Sequence, residues 1–247
     1  TRERVQMSVV ALIPSRGPAG GTRMGGGKDA RILGGFPLLA WTIRHAVESG
    51  IFDDVFVVVA DRGYASLATS YGAKVLERPD YTLGSRSPDI SWVSWALDGL
   101  GGGHDSFSIL RVTSPFRSAS NIRDAWFKFK NNYGADSLRA VKKVSEHPGK
   151  MWVVRQDRLL PLLPMGPERL PWHSRATQEI FDCYVQTAGM EFARTNRVVH
   201  AETIAGSVVV PYVLEGPAAL DINTMYDFRL AEEIVKEGKA PLPERWV

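Results

Sequence analysis

Short apolar runs alternate with stretches of helical periodicity along this chain. The runs are typical of buried strands and lie near residues 8–14, 54–60, 73–77 and 106–112. Apolar residues at helical spacing predict helices over 37–49, 91–97, 121–133 and 224–237. Asn223 marks the start of the last helix and Gly238 its end. The alternation predicts an α/β protein with a mostly parallel sheet covered by helices on both faces.

The second half of the chain lacks the regular alternation of apolar runs and helical periodicity. Prolines are scattered among basic and apolar residues over 142–172, so this stretch is a poor candidate for regular core and suggests an arm. Regular patterns return over 180–199 and 207–212. The sequence therefore predicts one domain with a protruding segment.

A glycine-rich basic loop follows the first strand. Glycines between Gly17 and Lys28 let backbone N–H groups approach an anion closely, while Arg16, Arg23 and Lys28 supply positive charge. This layout predicts a triphosphate site. Neither a GxxxxGKS/T motif nor a GxGxxG motif joining strand to helix is present. The alternative is a surface loop that binds nothing.

Composition and charge narrow the function classes. The 247 residues carry a net charge of +3 with basic and acidic residues interspersed, so we expect neither a nucleic-acid nor a membrane partner. The single cysteine, Cys183, excludes an internal disulfide and a cysteine metal cluster, and we expect it to fill core. His147 and His173 lack the paired spacing of a zinc site. No apolar segment at the start reads as a signal peptide, so we expect a cytoplasmic protein.

Several motifs occur in order along the chain. They are Ile13-Pro14-Ser15-Arg16-Gly17, Lys28-Asp29, Gly35-Phe36-Pro37-Leu38, Thr113-Ser114-Pro115-Phe116-Arg117 and Asp221-Ile222-Asn223. Their order and spacing resemble the acylneuraminate cytidylyltransferase family, enzymes that join CMP from CTP to a sialic-acid-like sugar. The resemblance implies a Rossmann-like three-layer α/β/α nucleotidyltransferase fold over residues 1–247. It also implies a homodimer, in which a segment over 142–178 forms a dimerisation arm and completes the acceptor site.

The implied reaction requires cations around a triphosphate. A sugar hydroxyl attacks the α-phosphate and pyrophosphate leaves, so charge moves onto the leaving group. The resemblance assigns this work to Arg16 and Lys28, with Arg23 as a third contact and Asp221 as the remaining catalytic residue. Gly17 would bring backbone amides to the nucleotide.

The metal ligands would lie near the last helix. Asp221 is the leading ligand for Mg²⁺, and Asn223 points to the same side if the chain is extended there. The family usually has a second aspartate at the position of Asn223, and Asn223 could instead be the N-cap of the final helix. Asp227 is expected to be a first-turn partner of the helix dipole.

The nucleotide base would meet Arg78 and Ser87. Ser87, which precedes Pro88 and Asp89, is also a good helix start. Arg86 stands where the family often has an aspartate, so nucleotide choice is less secure than nucleotide binding.

The acceptor side carries the largest departure from the family. Arg111 replaces a glutamine that sialate enzymes place near the sugar. It could bind a carboxylate or phosphate of the acceptor, or pair with a protein carboxylate at a strand end. The other acceptor-binding candidates are Thr113, Lys150, Arg175 and Gln178.

The sequence therefore predicts a Mg²⁺-dependent cytidylyltransferase that moves CMP from CTP to the hydroxyl of an acidic, nonulosonate-like sugar. One alternative is a nucleotidyltransferase that uses another nucleotide with a sugar 1-phosphate or other anionic acceptor. A third possibility is a non-catalytic nucleotide- or sugar-sensing protein.

Overall fold

The structure is a computed structural model that describes residues 7–17, 26–83, 87–199, 202–240 and 242–243. The strands are β1 (Val9–Ser15), β2 (Ile32–Leu33), β3 (Phe36–Pro37), β4 (Asp54–Val59), β5 (Lys74–Glu77), β6 (Ser106–Ile109), β7 (Ser137–Lys143), β8 (Trp152–Arg155), β9 (Arg158–Pro161), β10 (Tyr184–Arg194) and β11 (Val209–Val213). The helices are α1 (Leu38–Ser49), α2 (Ala65–Ser70), α3 (Asp89–Gly99), α4 (Ala119–Lys130), α5 (Thr195–Val198) and α6 (Met225–Lys236).

The main sheet has seven strands in the order β11-β7-β10-β6-β1-β4-β5. Every neighbouring pair is parallel except those that involve β10, which runs antiparallel to both β6 and β7. The prediction of a mostly parallel sheet is confirmed. β1 lies between β6 and β4, so the strand order reverses next to it. In open α/β sheets, ligands typically bind at such a point, beyond the carboxyl ends of the strands.

The two faces of β1 bury different helices. Val9, Ala11 and Ile13 belong to one apolar cluster with residues of α1, α4 and α6, whereas Val10 and Leu12 belong to a second cluster with residues of α3. Successive side chains of a strand point to opposite faces, so a strand covered on both sides must be apolar throughout. This requirement explains the uninterrupted run in the sequence and confirms the three-layer prediction.

Helix ends are set by side chains that the apolar pattern does not reveal. Ser118 and Asn121 form a capping box, which starts α4 at Ala119, two residues before the predicted start. The prediction of Asn223 as the start of the last helix is wrong, because Thr224 is the N-cap of α6 and forms a capping box with Asp227. The predicted end at Gly238 is confirmed by its left-handed backbone, with φ of 67°.

The arm contains a hairpin that the sequence does not predict. Strands β8 and β9 pair only with each other, outside the main sheet, and their side chains are mostly exposed. The prediction that Cys183 fills core is wrong, because it is half-buried with its Sγ 3.2 Å from Nε2 of His147. Among the described residues, no helix combines the length and the apolar character needed to cross a bilayer.

Candidate active site

A cavity of about 250 Å³ lies at the carboxyl edge of the parallel strands. Its walls come from the ends of β1 and β5 and from the loop after β6. The lining residues are Pro14, Arg16, Lys28, Asp29, Arg78, Asp89, Arg111, Val112 and Thr113. The cavity therefore brings together five of the residues that the sequence predicts for the site, namely Arg16, Lys28, Arg78, Arg111 and Thr113.

A larger cavity, of about 670 Å³, lies at the opposite edge of the sheet. Its arginines, Arg194 and Arg197, already donate to backbone carbonyls of residues 132–135, and Arg197 also pairs with Asp136. These guanidinium groups fix the loop after α4. The smaller cavity is the candidate site because its position and its cations match the chemistry that the motifs predict.

Glycines hold both described ends of the glycine-rich loop. Gly17 has φ of 62°, and a Cβ on it would lie 2.7 Å from Cβ of Asp61, so no other residue fits without a shift. Gly27 has φ of 79° and precedes the 3-10 turn Lys28–Ala30. Residues 18–25, including the predicted triphosphate contact Arg23, lie outside the described residues.

Asp29 is buried at the base of this loop. It is 7% exposed, and the Ser15 hydroxyl donates to its Oδ2 over 2.7 Å. Burial raises the pKa of the Asp29 carboxyl, although hydrogen bonds from Ser15 and from the backbone of Gly17 and Arg16, together with the charge of Lys28, oppose the rise. Asp29 is thus a carboxyl group with a weakened tendency to ionise, inside a site rich in cations.

Arg78 forms a rigid cationic wall. Its Nε donates to Oγ1 of Thr82 over 2.9 Å, its Nη2 donates to the Thr82 carbonyl, and its guanidinium lies 5.4 Å from the ring centroid of Trp92. Burial, and then the nearby charge of Arg16, lower the pKa of Arg78 to about 10. The guanidinium keeps its charge at neutral pH, and its orientation is fixed before any ligand arrives.

Arg111 is held by two carboxylates. Its Nη2 donates to Oδ2 of Asp89 over 2.5 Å and to Oε1 of Glu191 over 3.0 Å. Glu191 also accepts from Arg139, so two guanidinium groups and two carboxylates form one chain of ion pairs. Of the two alternatives for Arg111, the pairing with protein carboxylates is present in the structure. Its role toward an acceptor stays a prediction.

This ion-pair chain favours the charged forms of Arg111 and Asp89. Burial alone would lower the pKa of Arg111, but Glu191 and Asp89 raise it above its usual value. Burial would likewise raise the pKa of Asp89, yet Arg111, the Trp92 indole N–H and Arg16 hold it below its usual value. The Arg111 side of the cavity therefore carries charges of both signs, two guanidinium groups and two carboxylates.

The predicted metal ligands lie beside the cavity wall. The backbone N–H of Ile222 donates to the carbonyl of Thr113 over 2.8 Å, which ties this segment to a cavity-lining residue. Nδ2 of Asn223 donates to Oδ2 of Asp221 over 2.7 Å, so the two side chains share one side as predicted. Oδ1 of Asp221 is buried and has no hydrogen-bond partner among the described residues.

The predicted helix-dipole role of Asp227 is confirmed. Its carboxylate accepts from the Thr224 N–H over 2.7 Å and from the Asn223 N–H over 3.0 Å, within the first turn of α6. The N-cap alternative for Asn223 is wrong, since the Thr224 hydroxyl performs that role.

Besides Gly17, Asp221 and Asn223, four further predicted residues do not line the cavity. Ser87 precedes α3, whose N-cap is Pro88, and makes no side-chain cap. Nζ of Lys150 donates to the carbonyl of Arg175 over 2.6 Å, and Gln178 is exposed, so these three belong to the arm. Their predicted roles require a second subunit, as the resemblance implies.

Besides Asp29, three contributors to the site are absent from the predicted site residues. Asp89 and Glu191 hold Arg111, and Arg117 is fully buried with its Nη1 donating to the carbonyl of Gly189. Arg117 thereby fastens the loop after β6 to β10. Only Arg117 has a local signal, because it ends the quoted Thr113-to-Arg117 motif.

Comparison with known proteins supports the resemblance, although no family model matches the chain. The chain is 26% identical over 228 residues, 92% of its length, to the N-acylneuraminate cytidylyltransferase of Escherichia coli O18:K1:H7, and 34% identical over 95% of its length to the N-acylneuraminate cytidylyltransferase A of Danio rerio. It spans about half the length of these curated relatives, 52% in each case.

A solved structure shares the fold. A CMP:2-keto-3-deoxy-manno-octonic acid synthetase complexed with CTP matches with a TM-score of 0.67 at 12% identity, covering 94% of this chain and 99% of the other. At that identity the match shows the fold alone. The nucleotidyltransferase fold is confirmed, and the chain is similar over more than nine tenths of its length to the N-acylneuraminate cytidylyltransferases.

Proposed function

We propose that this protein transfers CMP from CTP to the hydroxyl of an acidic, nonulosonate-like sugar and releases pyrophosphate. The observation that carries the proposal is the convergence of Arg16, Lys28 and Arg78 on one cavity, in a chain similar to cytidylyltransferases. With Arg111, four cations line the cavity against two carboxyl groups, Asp89, which pairs with Arg111, and Asp29, whose ionisation burial disfavours. Such an excess of positive charge suits a triphosphate and the charge that grows on departing pyrophosphate.

Mg²⁺ is the expected cofactor, and the residues fit it. Oδ1 of Asp221 is buried without a partner, and an unpaired carboxylate oxygen is a suitable ligand for a hard cation. Asn223, whose Nδ2 donates to Oδ2 of Asp221, would contribute its amide oxygen. No group of three or more His, Cys, Asp or Glu side chains arranged for a metal occurs among the described residues, so phosphate oxygens and water would complete the coordination. When bound, the ion would neutralise phosphate charge.

The acceptor is proposed to be a sugar acid. The names of the relatives specify N-acylneuraminate, and that of the matching structure specifies 2-keto-3-deoxy-manno-octonic acid, which are both acids. Arg111 uses only Nη2 for its ion pairs, so Nε and Nη1 make no hydrogen bond to the described residues. These donors, next to Thr113, would orient an acceptor carboxylate.

A homodimer is also proposed. The hairpin β8–β9 exposes large apolar side chains on an arm that has no partner element in the main sheet. A second copy of the chain would cover them. It would also bring Lys150, Arg175 and Gln178 to the neighbouring acceptor site.

The decisive experiment measures pyrophosphate release with Mg²⁺ for CTP, UTP, GTP and ATP, each against N-acetylneuraminate, 3-deoxy-octulosonate and a hexose 1-phosphate. Turnover is expected only with CTP and a keto-acid sugar. Turnover with another nucleotide or with the sugar phosphate would support the alternative transferase. Binding without turnover would support a sensor.

Asp221→Ala tests the metal assignment in the same assay. We expect turnover to fall at least about a hundredfold, since the variant removes the only carboxylate of the proposed Mg²⁺ site. Asp124→Asn, which alters an exposed carboxylate on α4, is the matched control and should retain wild-type turnover. An active Asp221→Ala enzyme would contradict the assignment.

A further inference from the structure

We propose that Asp29 is a positioning residue of the nucleotide site that joins the two ends of the glycine-rich loop. This inference rests on the proposed function, because it explains how Arg16 and Lys28 are held at the nucleotide site. Asp29 lines the cavity but is largely buried beneath it. Its role is therefore to hold the loop rather than to react with substrate.

The contacts of Asp29 bridge the loop. The hydroxyl of Ser15, 14 positions earlier in the chain, donates to its carboxylate over 2.7 Å. The backbone of Arg16 and of Gly17 also lowers the pKa of this carboxyl group. One carboxylate thus binds the last residue of β1 and interacts with the two residues that follow it.

The other end of the loop holds Asp29 itself in place. In the 3-10 turn, the Ala30 N–H donates to the Gly27 carbonyl over 3.1 Å and the Arg31 N–H donates to the Lys28 carbonyl over 3.0 Å. Asp29 lies at the centre of this turn, so its carboxylate is fixed to the backbone at that end. The Ser15–Asp29 hydrogen bond consequently links the end of β1 to this turn.

A carboxylate suits this position better than an amide. It offers two acceptor oxygens and can accept three donors at once, whereas an asparagine offers one oxygen. The charge of Lys28 lowers the pKa of this carboxyl group, the Arg16 side chain lines the same cavity, and the Tyr64 hydroxyl interacts electrostatically with Asp29. The adjacent cations offset the negative charge that Asp29 places near a bound triphosphate.

This link has a direct consequence for binding. Binding groups that are already held in place lose less conformational freedom when a ligand binds, so affinity improves. Without Asp29, Arg16 and the Gly17 amide would have to be ordered by the nucleotide. The loss should fall on nucleotide binding and leave the acceptor site intact.

The test compares Asp29→Ala, Asp29→Asn and Ser15→Ala with wild type and with the surface control Asp124→Asn. We expect CTP to bind at least about tenfold more weakly to Asp29→Ala, the effect of losing hydrogen bonds to a charged group. The Michaelis constant for CTP should rise while that for the acceptor is unchanged. Asp29→Asn should recover most of the affinity, and Ser15→Ala should add no further loss to Asp29→Ala.

Hydrogen exchange of the ligand-free proteins gives an independent readout. Amides of Arg16, Gly17, Lys28 and residue 29 should exchange at least about tenfold faster in Asp29→Ala than in wild type. Unchanged exchange would overturn the inference even if the protein binds no CTP, so its failure is separable from failure of the proposed function. If Asp29→Ala does not fold, Ser15→Ala decides, and wild-type exchange and CTP affinity in that variant would overturn the inference.

Discussion

Asp29 illustrates how a single residue can serve a site at a cost to folding. Burial raises the pKa of its carboxyl in the folded protein above the value in the unfolded chain. The folded state therefore binds a proton more tightly between the two pKa values. By linkage, the free energy of unfolding falls as the pH rises through this window and stays lower above it.

Asp29→Asn removes this titration, which makes a pH-dependent prediction. The stability of the variant relative to wild type should increase as the pH rises from about 3.9, the ordinary Asp pKa, toward neutrality. Urea unfolding at a series of pH values, with Asp124→Asn as control, measures the difference. Asp29 is the titrating group that the substitution removes. A difference in the free energy of unfolding between variant and wild type that does not vary with pH would therefore contradict the raised pKa of Asp29.

At the same scale, local motifs explain which site residues the sequence could predict. Arg16, Lys28 and Thr113 lie in short motifs beside strand ends, and parallel strand ends share one edge of the sheet. The partner of Arg111 could not be predicted in this way, because Glu191 lies 80 positions away. The pairing depends on β10 entering the sheet beside β6, where Glu191 faces Ile109.

At the scale of elements, predictions succeeded where burial dictates the sequence pattern. Strands β1 and β4 are covered on both faces and must be apolar, so their runs are unmistakable. Strand β7 has the sequence SLRAVKK and ends in lysines, with burial concentrated at its first residues and at Ala140. Its place between β10 and β11 depends on long-range pairing, which a periodic apolar pattern does not encode.

The hairpin of the arm provides the prediction at this scale. Val154 and Leu159 are cross-strand partners, and they are 70% and 58% exposed. The double substitution Val154→Glu/Leu159→Glu should convert a homodimer to a monomer, because it places charges in the proposed apolar interface. Light scattering coupled to size exclusion measures the mass.

A matched control separates interface loss from a general effect of surface charge. Tyr133, 74% exposed after α4, becomes Glu in the control, which should remain dimeric. Monomeric wild-type protein at micromolar concentration would contradict the dimer, as would a dimeric double variant with unchanged dissociation.

At the scale of the whole molecule, the sheet edge joins distant parts of the chain into one site. The cavity takes residues from the end of β1, from the segment after β5 and from the loop after β6, while the proposed Mg²⁺ ligands precede α6. A nucleotide that contacts all of these segments binds the folded protein and not the unfolded chain. Binding must therefore stabilise the entire fold.

The size of this stabilisation can be predicted. Ligand at 100 times its dissociation constant adds about 2.7 kcal/mol to the free energy of unfolding. For a chain of 150–250 residues, each kcal/mol raises Tm by about 2–4 °C. Saturating CTP with Mg²⁺ should consequently raise Tm by about 5–10 °C, measured by calorimetry.

Inorganic triphosphate, compared with CTP in the same experiment, divides this stabilisation between phosphates and base. Triphosphate alone should stabilise through Arg16 and Lys28, but less than CTP, because it has no base to contact the wall around Arg78 that is proposed to bind the base. Equal rises in Tm with CTP and with triphosphate would mean that Arg78 and its surroundings do not bind the base. Equal rises in Tm with CTP and with UTP would support the triphosphate site but contradict selectivity for cytidine.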